Sequence, residues 1–250
     1  AVGAPGDHGC GNTSIVNFNG SIPAFSCPKT GAVHLYDATL GVLYWKAPNA
    51  DSGDSFGFSI AFANWTDDSG GNVSVAIAAG APGEASGAAG IGATAMASDN
   101  ACPDAGAVYV TDLYAFGNQS IIKAPKGGGS HRFGHSLALH NRTMVIGAPG
   151  DASCSTITVA TNASNDTGCS AAGAAYVYVA DPEWRLQAVL KAPNARANYE
   201  FGASVAVSHR MIVVGSSAEA SCSNQSAPSA ASDTECPHAG AAYAFVQQPN

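Results

Sequence analysis

The sequence predicts an all-β chain, a β-propeller-like array of four-stranded blades, about three and a half of them in 250 residues. Three observations predict it. Four short phrases recur along the chain in one fixed order. Each phrase reads as a strand or a strand end, and no segment between them makes a credible amphipathic helix. Glycine is abundant, at 29 residues, without a strict every-third-residue period, which argues for many tight turns and against a collagen-like rod. Four-stranded units repeated along a chain are the pattern of radial sheet arrays.

The first phrase is Phe-Gly-x-Ser, at Phe56-Gly57-Phe58-Ser59, Phe133-Gly134-His135-Ser136 and Phe201-Gly202-Ala203-Ser204. The second is Gly3-Ala4-Pro5-Gly6, then Gly80-Ala81-Pro82-Gly83 and Gly147-Ala148-Pro149-Gly150, decaying to Gly215-Ser216-Ser217. The third is Gly31-Ala32-Val33-His34, Gly106-Ala107-Val108-Tyr109, Gly173-Ala174-Ala175-Tyr176 and Gly240-Ala241-Ala242-Tyr243. The fourth is Lys46-Ala47-Pro48, Lys123-Ala124-Pro125 and Lys191-Ala192-Pro193. Successive copies lie 77 and 68 residues apart, measured from Gly57 to Gly134 to Gly202. The chain reads as a single repeat domain, 1–250, with approximate repeats 1–55, 56–132, 133–200 and 201–250.

Within a repeat the elements follow in order. Ser136 to Leu139 and Met144 to Ile146 are short apolar stretches separated by His140-Asn141-Arg142-Thr143, a hairpin pattern. Ala174 to Val179 and Trp184 to Leu190 flank Ala180-Asp181-Pro182-Glu183, a turn. Proline after Gly-Ala ends a hydrogen-bonded ladder. The Phe before each Gly is expected to fill the space between adjacent sheets. The Ala-rich run from Gly87 to Ser98 reads as a loop, because glycines interrupt it. The chain opens in mid-motif and is read as a mature or excised segment. Its first and last repeats are expected to hold three strands and the two middle ones four.

Charge is sparse. Lys plus Arg is 10, Asp plus Glu is 18, and the formal net charge is -8. Charged residues make up 11%, against about 25% in a typical soluble domain. So few basic residues argue against a nucleic-acid partner. With 46% hydrophobic residues, charge-driven disorder is not expected. No apolar run is long enough for a membrane span.

In register, these phrases resemble the FG-GAP repeat of integrin α-type β-propellers, over nearly the whole chain. The resemblance implies a propeller, in that family usually seven-bladed, serving adhesion or recognition and often binding calcium. The repeat here is longer than the family's usual unit, because the loop between the second and third strands is extended. The family's ion loop has acidic or amide side chains at alternate positions, as a hard cation requires. The matching segments 140–143 and 208–210 are short and lack carboxylates. Only Asn64, Asp67, Asp68 and Asn72 offer weak candidate calcium ligands, and no cofactor is otherwise expected. Three and a half blades do not close a ring. Either a longer chain supplies the rest, or two copies complete seven blades, or strands exchange between neighbours in a polymer. A longer chain or assembly is favoured. The assembly reading requires strands 2–5 and 241–245 to be covered in the native particle.

Seven cysteines follow the repeat. Cys27, Cys102, Cys169 and Cys236 each stand four residues before the Gly of the third phrase. Cys10, Cys154 and Cys222 lie earlier in the same loops. The expected pairs are Cys10–Cys27, Cys154–Cys169 and Cys222–Cys236, each closing a long loop in an oxidising compartment. Cys102 lacks a counterpart and is expected to be unpaired or intermolecular. The N-glycosylation pattern occurs at Asn12, Asn19, Asn64, Asn72, Asn118, Asn141, Asn162, Asn165 and Asn224. Nine such sites beside paired cysteines point to secretion through a glycosylating pathway.

No catalytic motif emerges. Asp7 with His8, Asp51 with Asp54, Asp67 with Asp68, and Glu219 are scattered acids that form no recurring constellation. Carboxylates could still converge from distant blades. His131 and His135 are four apart, but the segment between them turns into a strand, so they do not share a helical face. Ser136 is a repeat residue rather than a nucleophile. Tyr44, Trp45, Trp65 and Trp184 are candidates for stacking on sugars, with packing between blades favoured. The expected function is a secreted or cell-surface, N-glycosylated structural or adhesive component of an extracellular assembly such as a filament. Its expected partners are copies of itself or further blades of a longer chain, and N-linked glycans. The alternative is a carbohydrate- or protein-binding recognition module of integrin-like type, and a propeller-scaffold enzyme ranks last.

Overall fold

The computed structural model describes residues 1–9, 16–17, 27–37, 41–66, 73–92, 100–113, 119–154, 167–222 and 236–246. These residues form fifteen strands and no helix. The chain divides into two compact units, 1–134 and 135–250, each holding two antiparallel sheets.

In the first unit, β1 (Val2–Ala4), β3 (Ala32–Asp37), β4 (Gly41–Trp45) and β2 (Val16–Asn17) make a sheet in the order β1-β3-β4-β2. Beside it β5 (Ser59–Thr66), β6 (Val73–Ala81), β7 (Ala107–Asp112) and β8 (Ser120–Ile122) lie in chain order. The second unit has β9 (Ser136–His140), β10 (Thr143–Ala148), β11 (Ala174–Ala180) and β12 (Trp184–Leu190), again as consecutive neighbours. Its other sheet is β13 (Phe201–Ser208), β14 (Met211–Ser216) and β15 (Ala241–Val246).

The first sheet corrects the expected count of three strands. Its fourth strand is β2, drawn from the loop between β1 and β3 and paired to the outer edge of β4 through Val16↔Tyr44. It is not a Phe-Gly strand. The last sheet has three strands among the described residues. The described part of the Ala-rich run is non-helical, and its Ile91 bridges Ile122.

Strand alternation builds each core. On successive strands every second side chain faces the neighbouring sheet. In the first unit Val33, Leu35, Leu43 and Trp45 meet Ile77, Ala79, Tyr109 and Ile121. Phe56 stands at their centre, edge-on to Trp45 at 5.0 Å and to Tyr109 at 5.2 Å between ring centroids. In the second unit Val145, Ala175, Val177 and Leu190 meet Val205, Val214, Tyr243 and Phe245 around Phe201. The phrase Phe is therefore the plug between neighbouring sheets.

Two glycines per joint let the backbones approach that closely. Gly173 has φ +83°, and a Cβ there would collide with the backbone of Phe201. At Gly147 a Cβ would collide with the Gly202 carbonyl. Gly31 against Phe56 and Gly3 against Gly57 repeat the arrangement in the first unit. Ser136 Oγ donates to the Gly202 carbonyl at 2.8 Å, and Ser59 Oγ to the Gly134 carbonyl at 2.6 Å. The Ser136 hydroxyl is thus engaged in a structural hydrogen bond.

Candidate functional site

Each of three sheets buries a lysine just after the strand that pairs with β3, β7 or β11. Lys46, Lys123 and Lys191 directly follow β4, β8 and β12, and all three are at most 3% exposed. A bare ammonium at such depth would be strongly destabilising, so each needs an anion and further acceptors. Lys46 Nζ lies 3.1 Å from Asp7 Oδ1 and donates to Gly31 O and Thr30 Oγ1. Lys123 pairs with Glu84 and also donates to Ser86 Oγ. Lys191 Nζ lies 3.0 Å from Asp151 Oδ1.

The acids form a series. Asp7, Glu84 and Asp151 each follow Gly-Ala-Pro-Gly directly, and Glu219 holds the same place four residues after Gly215. This corrects the expectation that no acid recurs as a constellation. Sequence reasoning missed Glu84 and Asp151 because Lys-Ala-Pro was read only as a strand end. The signal was available: a lysine phrase and an acid recurring with the same period.

The acids come in two forms. Asp7 and Asp151 accept directly from tyrosines, Tyr44 at 2.9 Å and Tyr176 at 2.7 Å. Glu84 and Glu219 accept instead from the asparagine of a preceding Lys-Ala-Pro-Asn: Asn49 Nδ2 at 3.2 Å and Asn194 Nδ2 at 2.9 Å. Those asparagines in turn accept from Tyr109 and Tyr243, each at 2.7 Å.

Burial alone would raise the pKa of Asp151. The Lys191 charge and hydrogen bonds from Ser153 and Tyr176 overcome that and hold it down to about 2. Asp7 is lowered in the same way, burial being outweighed by the Gly9 amide, Lys46 and Tyr44. Burial lowers Lys46, with Asp7 opposing. Asp54 behaves oppositely. It is 2% exposed, and burial, reinforced by Glu84 and Asp51, pushes it up to about 7 against the Asp51 amide it accepts at 2.8 Å.

Glu219 differs from the other three acids. It is 1% exposed and accepts from Asn194 and from the amide and hydroxyl of Ser221, yet no lysine or arginine meets it among the described residues. Among the described residues no strand lies beside β15 to end in one.

The remaining candidates fall as follows. Cys154–Cys169 and Cys222–Cys236 are disulfides spanning 15 and 14 residues. Cys27 is disulfide-bonded, while Cys10 lies outside the described residues. Cys102 is a free thiol, half-buried. Gly87 stands three residues after Glu84, where Cys154 follows Asp151 and Cys222 follows Glu219. Asn64 on β5 and Asn141 at the β9–β10 turn are exposed. Asn12, Asn19, Asn72, Asn118, Asn162, Asn165, Asn224, Asp67 and Asp68 lie outside the described residues. Tyr44 and Trp45 are buried in the sheet and do not present a stacking face, whereas Trp65 and Trp184 are half-buried. Among the described residues no group of three or more His, Cys, Asp or Glu is placed to hold a metal ion. One hollow, lined by Ala195, Tyr199, Ala218, His238 and neighbouring residues, contains no carboxylate.

The FG-GAP repeat model matches residues 116–178 and 184–245, half of the chain. The chain belongs to the FG-GAP repeat family. Each match starts near an outer strand, β8 or β12, and runs through three strands of the following sheet. The FG-GAP unit thus spans the stretch that carries the lysine, the Phe-Gly plug and the acid. A search of curated proteins finds no match to the chain.

Proposed function

We propose that this FG-GAP protein is a secreted, N-glycosylated structural or adhesive module: a β-propeller segment of about three and a half blades, with repeats near 1–55, 56–132, 133–200 and 201–250, within a cell-surface or extracellular assembly. The observation that carries the reading is that the recurring residues build the array itself: Phe56 and Phe201 fill the seam between the sheets of each unit, and the recurring lysines are buried against Asp7, Glu84 and Asp151. Residues spent on the scaffold in this way suit a structural or adhesive role. Two disulfides fit an oxidising compartment. The exposed Asn64 and Asn141 leave room for glycan, which would supply the hydration that sparse charges do not.

The test is made on the protein purified from its natural source. Glycopeptide mass spectrometry should find Asn141 and Asn64 occupied, and sedimentation should show a species larger than one chain. A bare, strictly monomeric native protein would overturn the reading.

A further inference from the structure

We propose that Lys123 and Glu84 condense into an intramolecular isopeptide bond, a covalent brace within the second sheet. Such a cross-link goes beyond the structural reading above and stands or falls without it.

The groups that amide formation requires meet at this pair. The nucleophile is Lys123 Nζ, in contact with Glu84 Oε2, and both side chains are at most 3% exposed. The acceptor is the Glu84 carboxyl carbon, one bond beyond that oxygen. On the other side of the carboxyl, Oε1 accepts from Asn49 Nδ2 at 3.2 Å. Tyr109 holds the Asn49 amide in that orientation, its hydroxyl donating to Asn49 Oδ1 at 2.7 Å. A fixed N–H donor on the oxygen where negative charge develops is what acyl transfer needs. Ser86 Oγ, itself buried, accepts from Lys123 Nζ at 3.1 Å and steadies the amine. Nucleophile, acceptor and oxyanion donor are thus assembled by the fold alone.

The step balances without a co-reactant. One proton passes from the Lys123 ammonium to Glu84 Oε2, leaving a neutral amine beside a neutral carboxyl. In a site this buried, that exchange removes two costly charges. Nζ then attacks the carboxyl carbon, and Oε1 carries the negative charge under the Asn49 N–H. Nζ gives up a second proton, by way of the Ser86 hydroxyl, to Oε2. The bond from carbon to Oε2 breaks and one water leaves. The product is an amide whose carbonyl oxygen is Oε1, still bonded to Asn49. Nothing is oxidised or reduced.

The surroundings favour this pair over its two counterparts. Asp54 packs against the residue before Glu84, the Gly83 amide donating to the Asp54 carbonyl at 3.1 Å. Burial, with the charges of Glu84 and Asp51, raises the Asp54 carboxyl to about 7 despite the Asp51 amide and Lys123. It therefore keeps its proton in mildly acidic solution and does not compete with Glu84 for the ammonium. Asp7 and Asp151 are lowered despite burial by the hydrogen bonds and lysines around them. They stay carboxylates, which are poor acceptors for an amine.

The cysteines give independent support. Cys154–Cys169 and Cys222–Cys236 brace the loops of the third and fourth repeats, and Cys27 is disulfide-bonded in the first. The second repeat has Gly87 where a cysteine would stand, and its Cys102 is a free thiol. The repeat without that disulfide is the one whose lysine and acid are set to join. Lys123 and Glu84 are 39 residues apart, so the amide closes the same extended loop from further out.

The test is the mass of the full chain, produced in a bacterial periplasm so that disulfides form and N-glycans are not added. After reduction it should weigh about 18 Da less than the linear sequence, one water having left. Trypsin should fail to cut after Lys123, and tandem spectra should show the peptide holding Lys123 joined to the one holding Glu84. Lys123→Arg keeps the cation but cannot form the bond, and should have its full linear mass. The proposal is overturned by a wild-type chain of full linear mass that trypsin cuts after Lys123. It is equally overturned by a loss of about 17 Da with Lys123 joined to Asn49, which would make the asparagine the acceptor and ammonia the leaving group. If Lys123→Arg does not fold, the wild-type mass and the joined peptides decide the matter alone. Either result leaves glycosylation and assembly to their own test.

Discussion

Gly173 lies directly beneath the backbone of Phe201, with φ +83° and no room for a side chain. Gly240 has nearly the same conformation, φ +72°, but the nearest atom a Cβ would meet there is the Ser217 carbonyl oxygen at 3.5 Å, an ordinary contact. The pair separates two reasons for glycine that a sequence alone merges. Gly240→Ala should cost only the conformational penalty of about 1 kcal/mol. Gly173→Ala adds a collision with backbone and should cost several times more, on the order of 3 kcal/mol or above. Urea unfolding of the two variants checks this, and equal losses would refute the joint described above. Gly6→Ala is the control, since a Cβ there meets nothing within 4 Å.

Removing one side of a buried ion pair should be far more damaging than removing an exposed one. Lys191→Met leaves Asp151 at 5% exposure without its cation, for a loss of about 3–5 kcal/mol. Arg185 and Asp181 lie 3.9 Å apart with side chains 58% and 65% exposed. Arg185→Ala should change stability by less than about 0.5 kcal/mol. Thermal melts of both variants give the comparison.

Two aspartates should tilt the pH profile in opposite directions. Asp151 has its folded pKa lowered to about 2, so it binds fewer protons folded than unfolded. Its contribution is full above about pH 4 and is lost as pH falls toward 2. Asp54 is raised to about 7, so the folded state holds the proton more tightly. Its contribution is full below about pH 4 and is lost as pH rises toward 7. Asp54→Asn should flatten the fall in stability between pH 4 and 7 while leaving the acid limb intact. An unchanged slope in that window would show that Asp54 is not buried as described.

The disulfides should be separable from the free thiol by reactivity. Alkylation of the native protein followed by peptide mapping should label Cys102 and spare Cys154, Cys169, Cys222 and Cys236 until reduction. Cys154→Ala with Cys169→Ala should cost about 3 kcal/mol, the value expected for opening a loop of 15 residues.

Much of the fold is legible in the sequence, because the joints are made by residues that recur. Phe56 and Phe201 mark the plugs, Phe133 repeats their phrase, and Gly147 or Gly173 can be nothing larger, so the phrases stand out on self-comparison. What repeats by position but changes in chemistry is harder to see. Asp7, Glu84, Asp151 and Glu219 alternate between two acids of different reach. The longer glutamates are served through Asn49 and Asn194 where the aspartates meet tyrosine directly, so no single phrase contains them. Strand β2 left no trace either. In the next repeat Ile91 bridges Ile122 at the equivalent place, but it shares no phrase with Val16-Asn17, so the pairing depends on tertiary placement rather than on a pattern.

That short strand has a practical side. By lying along β4 it pairs with Leu43 and Tyr44 of that strand, whereas among the described residues β15 pairs with β14 alone. Natural edges are guarded by lysine, proline, bulges or an inward charge. The run Ala241-Ala242-Tyr243-Ala244-Phe245-Val246 has none of these, being uncharged and regularly paired along its length with β14. The chain on its own is therefore poorly defended against sticking to itself in disordered fashion. Ala244→Lys, in the middle of the exposed row, should reduce that self-association, as light scattering of the two proteins would check.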